Sequence, residues 1–124
     1  MAYIGFLKLT ELYRQQRSDE NFKLMQISDK LVEAASNSSS ISQDFELAKS
    51  QLSQDDPNYS DCLQALTEQY NNDLDEVATW EAELEHQKDS CETKVKLLDG
   101  YITAFESAAK QGISKDHTYG NQGG

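Results

Sequence analysis

The stretch 56–112, DPNYSDCLQALTEQYNNDLDEVATWEAELEHQKDSCETKVKLLDGYITAFESAAKQG, decides how this chain folds. Leu63, Tyr70, Val77, Leu84, Cys91, Leu98 and Phe105 stand seven residues apart within it, so seven successive occupants of one heptad position are apolar or thiol. A repeat of that period predicts a long helix with one adhesive seam. Leu66, Trp80 and Tyr101 follow members of the series by three residues, and Leu74, Val95, Ile102 and Ala109 follow by four, which widens the seam into a buried stripe. The ends carry matching signals. Asp56 can cap the first free amides, Pro57 suits the first helical position, where a missing N–H is no loss, and Gly112 suits a left-handed terminating turn. The helix is therefore expected over 57–111.

Working outward, Gln54-Asp-Asp-Pro-Asn reads as a turn, and Ser40 with Gln43 as a capping box for a short helix over 41–53. The apolar face of that helix is thin: Ile41, Phe45, Ala48 and Leu52. Asn37-Ser-Ser-Ser before it reads as a loop, because four side chains that bond their own backbone compete with the helix. A first helix is expected over 3–35, with Phe6, Leu9, Tyr13, Leu24, Ile27 and Leu31 on one face and Phe22 and Met25 widening it. The polar block Arg14-Gln-Gln-Arg-Ser-Asp-Glu-Asn interrupts that face. It reads as a solvated stretch of one helix or as a break with Ser18 capping a second; the lack of Gly or Pro favours continuity. The expected fold is all-α: an elongated antiparallel helical hairpin with coiled-coil-like packing, in a single domain over 1–111, followed by a polar, glycine-rich tail over 112–124.

Composition sets the class of partner. Leu, Ile, Val and Phe number 25 of 124 residues, near the limit below which a strongly charged chain cannot bury a globular core, and a slender hairpin needs less. The net charge of −11 is unevenly spread, with twelve acids against four bases over 57–111 and five of each over 1–35. An acidic surface repels phosphate backbones and anionic lipid, so nucleic acid is not expected as a partner. No stretch approaches the roughly 18 to 20 apolar residues of a membrane span, and the start lacks the basic and apolar regions of a signal peptide. A cytoplasmic location, or export by a route independent of a signal peptide, is the expectation. Cys62 and Cys91 would lie roughly 43 Å apart on one helix, too far to bridge within the chain, and both are expected to be inert thiols.

The chemistry-bearing residues make no site. Glu83 and His86 have the Glu-x-x-His spacing of di-iron helices, but that centre needs a second such pair, and His117 has no Glu three residues before it. The acids from Asp73 to Glu92 lack the glycine turn of a calcium loop and read as a solvated face. No Ser, His and Asp set and no phosphate-binding loop is present. The expectation is a protein with no catalytic, metal or cofactor site. The residues singled out are instead those of a seam or interface: Leu63, Tyr70, Val77, Trp80, Leu84, Cys91, Leu98 and Phe105, with Phe6 and Tyr13 from the first helix.

Trp80 in mid-chain invites comparison with small WXG-type secreted hairpins. It is followed by Glu81-Ala82 rather than a glycine turn, and no tyrosine is followed four places on by an acid. Prefoldin-like chaperones pair two long helices but need strands between them, which the Ser-rich middle does not offer. In length and class the chain is similar to helical-hairpin proteins of type III and flagellar export, whether needle or filament subunits or acidic chaperones. The expected function, which rests on the seam, is that of a non-enzymatic structural or assembly protein that self-associates through its helical seams, such as a filament or specialised-secretion subunit, with an acidic helical chaperone or adaptor binding a partner's helix as the alternative.

Overall fold

The heptad seam does produce a long helix, and it finds its cover within the chain. A computed structural model describes the backbone from 2 to 122, and the side chains of residue 5 and of residues 7–112. It contains two helices, α1 over Ala2–Ser50 and α2 over Tyr59–Gln122, which pack against each other as a helical hairpin. No strand occurs among the described residues.

The turn between them follows from its side chains. Gln51 N–H is shared between the carbonyls of Leu47 and Ala48 at 3.2 Å each, and Leu52 N–H donates to Lys49 at 3.2 Å, so the ladder of α1 tightens as it ends. Ser50 Oγ–H takes up the Leu47 carbonyl as well, at 2.6 Å. On the far side, Asp56 Oδ1 accepts from Asn58 N–H at 2.9 Å across Pro57, and the Asp56 carbonyl accepts from Tyr59 N–H at 3.0 Å. The Asn58 carbonyl accepts the first α-helical bond, from Cys62 N–H at 2.9 Å. Asp56 thus serves the turn before α2, and the helix starts two residues later than the position of Pro57 suggests.

Three boundaries differ from the sequence reading. The Asn37–Ser40 loop and the separate helix over 41–53 are absent, because α1 runs unbroken to Ser50. Inward positions continue through the serines as Leu31, Ala34, Ser38, Ile41, Phe45 and Ala48, all buried or half-buried. Serine costs at most about 0.7 kcal/mol in a helix, so four such residues lose roughly 2 kcal/mol, whereas each large apolar side chain gains about 1.5 to 3 kcal/mol on full burial. Packing wins over local preference. The polar block 14–21 is likewise continuous helix, as favoured from sequence. At its other end α2 passes through Gly112 to Gln122, and no described residue has a positive φ. Glycine permits a left-handed turn without compelling one. The expected tail over 112–124 is therefore helix as far as Gln122, and its side chains beyond Gly112 lie outside the described residues.

The chain divides into two compact units. The turn unit, Gln26–Lys88, buries Ile27, Ala34, Val77 and Leu84. Phe45 stacks on Tyr70 with ring centres 4.3 Å apart, and Ser42 Oγ lies 3.4 Å from the Tyr70 hydroxyl. The terminal unit, Met1–Met25 with Asp89–Gly124, buries Thr10, Glu20, Cys91, Leu98, Ile102 and Ala109. Tyr13 stacks on Phe105 at 5.5 Å and tilts against Tyr101 at 5.4 Å. Arg14 pairs with Glu106 and Arg17 with Asp99, so partner numbers fall along α2 as they rise along α1, an antiparallel register.

The two units use the seam differently. In the turn unit the seam is flanked on both sides, by Leu66, Asp73 and Trp80 three after members of the series and by Thr67, Leu74 and Glu81 four after, all half-buried. In the terminal unit the flanking residues stand four after it: Val95, Ile102 and Ala109. Tyr101 is accordingly 42 % exposed while Ile102 beside it is 4 % exposed. A straight helix drifts about 20° per heptad against a strict seven-residue repeat, enough to hand the inward role to the next residue after a few heptads.

Candidate interaction surface

The seam itself is largely closed within the chain. Val77, Leu84, Cys91 and Leu98 are buried, and Leu63, Tyr70, Trp80, Phe105 and Tyr13 are half-buried. Phe6 lies outside the described side chains. What two helices cannot cover is the remainder of their flanks. Phe22 and Met25, expected to widen the stripe of α1, are 60 % and 65 % exposed because the inward positions are Glu20 and Leu24 instead. Leu9 of the same expected stripe is exposed as well, and Thr10 is the buried residue.

Two polar residues that the apolar pattern passed over occupy inward positions of α1 in the terminal unit. Arg17 Nη1 donates to Asp99 Oδ1 at 2.7 Å, and Glu20 Oε1 accepts from Lys23 Nζ at 3.1 Å. Glu20 is buried opposite Cys91, and its Oε2 has no partner of proper hydrogen-bond geometry. Burial pushes the Glu20 carboxyl up, but the Lys23 ammonium, the Cys91 thiol and Lys94 outweigh it and hold the group below its ordinary range. Burial, and then the facing carboxylate, push the Cys91 thiol up. Cys91 is thus a buried neutral thiol, while Cys62 is exposed, and both are free. A sequence signal existed for Glu20, which stands seven residues after Tyr13 and seven before Ile27.

The terminal unit has two unlike flanks. One carries the Arg14–Glu106 and Arg17–Asp99 ion pairs. The other is a groove of about 320 Å³ lined by Gln16, Asp19, Glu20 and Lys23 of α1 with Lys94, Leu97 and Leu98 of α2. Helical spacing continues this second flank through Leu12 and Leu9 on α1 and through Tyr101, Ala104 and Ala108 on α2. Leu9, Leu12, Leu97 and Tyr101 are all exposed there. The turn unit has a groove of about 220 Å³, with Ile41, Phe45, Ala48, Leu66 and Tyr70 forming its base and Asp44, Gln69 and Asp73 its rim. Asp73 Oδ1 accepts from Gln69 Nε2 at 3.1 Å.

Charge separates the units more sharply than it separates the halves of the sequence. The terminal unit holds eight acids and eight bases, and the turn unit fourteen acids and three bases, so the entire net charge of −11 belongs to the turn unit. Among the described residues no group of three or more His, Cys, Asp or Glu is placed to hold a metal ion. Glu83 and His86 are both exposed. No described helix is long and apolar enough to cross a membrane. Comparison with protein-family models, with curated proteins and with solved structures finds no match.

Proposed function

We propose that this chain is a non-enzymatic structural or assembly protein, which self-associates by coiled-coil-like packing of the helix surfaces that its own hairpin leaves uncovered. Subunits of filaments or of specialised secretion systems are the kind of protein it fits. The observation that carries this reading is the exposure of the large apolar side chains Leu9, Leu12, Leu97 and Tyr101. Two helices bury one stripe each, and a monomer gains nothing by keeping further apolar groups in water. Self-association uses them. Light scattering on the pure chain over a hundredfold concentration range tests it: mass is expected to rise with concentration, and a mass that stays monomeric throughout overturns it.

One observation favours a second reading, an acidic adaptor that shields a partner's helix. Two of the turn unit's fourteen acids, Asp44 and Asp73, line a groove whose other residues are mostly apolar, which suits a basic amphipathic helix. Capture of such a helix would weaken with salt. The same scattering series run with a basic helical peptide separates the two readings, since an adaptor stays small alone and gains mass only with the peptide.

A further inference from the structure

We propose that the apolar flank of the terminal unit, presented by Leu9 and Leu12 on α1 and by Leu97 and Tyr101 on α2, is the surface by which one copy of this chain binds a second copy. The inference rests on the reading of the chain as self-associating, and adds which surface does it.

Three observations single out this flank and its occupant. The first is charge. Two copies meeting through turn units would bring fourteen acids and three bases against the same set, whereas terminal units, with eight of each, meet without net repulsion. A basic foreign partner would be drawn to the turn unit, so the neutral flank is left for a like surface. The groove also carries both signs, Asp19 beside Lys23 and Lys94, so a copy of itself offers each charge an opposite. The second is asymmetry within the unit. The opposite flank carries the Arg14–Glu106 and Arg17–Asp99 pairs and exposes apolar groups from α1 alone, Leu7 and Met25, whereas this one brings exposed apolar groups of both helices together. The third is size. The described part of the terminal unit spans 89–112 of α2, roughly 36 Å of helix at 1.5 Å per residue, and two helix diameters give a width of about 20 Å. That face offers on the order of 700 Å² per copy, close to the roughly 800 Å² per partner of a standard stable interface. An isologous contact also meets the flank with a surface of the same apolar character.

The test uses the full chain and sedimentation velocity at a concentration where the wild type is associated. Leu12→Glu combined with Leu97→Glu puts two carboxylates on the flank, at side chains 48 % and 55 % exposed, so folding has no reason to fail. The expected result is a shift of the association midpoint to at least tenfold higher concentration, with unchanged helical circular dichroism. Val32→Glu combined with Leu47→Glu, apolar positions of still higher exposure in the turn unit, should leave the midpoint within about twofold. The inference is overturned if the turn-unit pair dissociates the protein and the terminal-unit pair does not, an outcome under which self-association itself survives. A wild type that is monomeric at every concentration overturns both the inference and the reading beneath it. Should the flank pair lose helicity, Leu97→Ser alone gives the deciding measurement, with a weakened association expected and an unchanged one contradicting the proposal.

Discussion

Leu97 and Leu98 are neighbours in sequence with opposite surroundings, one 55 % exposed and the other 8 % exposed. Leu98→Ala, and Leu84→Ala in the turn unit, should each cost about 2 to 5 kcal/mol in urea denaturation, since each empties a buried site. Leu97→Ala, measured where the protein is monomeric, should stay within about half a kcal/mol. Equal effects at 97 and 98 would mean that α2 is turned differently about its axis. Glu20 and Cys91 make a pH prediction at the same scale. The folded pKa of Glu20 is depressed, so its contribution is fully present above the ordinary carboxylate range and disappears as pH falls through the lower folded value. Cys91 is shifted the other way, so the unfolded thiol ionises first and stability falls as pH rises above the ordinary thiol range. Denaturation midpoints across pH should show both limbs. Glu20→Gln should flatten the acid limb and Cys91→Ala the alkaline one, whereas unchanged slopes would remove the coupling.

The continuity of α1 across Asn37–Ser40 is the claim that matters most among the elements. Ser39→Ala, at an exposed helical position, should stabilise by a few tenths of a kcal/mol, and Ser39→Pro should cost about 3 kcal/mol or more, which a loop there would not register. Amide hydrogen exchange over 37–40 gives the same answer directly: protection comparable with 30–35 is expected of a helix, and free exchange of a loop. The long seam of α2 could be read from sequence because Leu63 through Phe105 repeat at one interval, a signal that survives any local preference. The serine run could not, since its helical state comes from Ile41, Phe45 and Ala48 finding α2 beneath them, a tertiary fact. Nor could the choice of Ile102 over Tyr101, because the two differ by one position and only the accumulated drift of a straight helix decides between them. Arg17 was hidden for a third reason, since an inward polar residue is invisible to an apolar template until its partner, Asp99, is in place; Glu20 was marked by its seven-residue spacing from Tyr13 and Ile27.

Taken whole, the molecule combines a neutral unit that shows apolar side chains with an acidic unit that carries all the net charge. In the proposed association the apolar flank draws copies together, and the turn units, with fourteen acids each, oppose it. Salt discriminates between those forces, because the Debye length falls from about 10 Å at 0.1 M to about 3 Å at 1 M while apolar burial is not weakened. An adaptor built to capture a basic helix behaves in the opposite way, losing its partner as salt rises and staying small without one. Sedimentation velocity of the pure chain at 0.1 M and 1 M sodium chloride, over a range of concentrations, is therefore the most direct test of self-association. The expected result is a species larger than the monomer that grows with concentration and forms at lower concentration in 1 M salt; a monomer at every concentration, indifferent to salt, would contradict self-association.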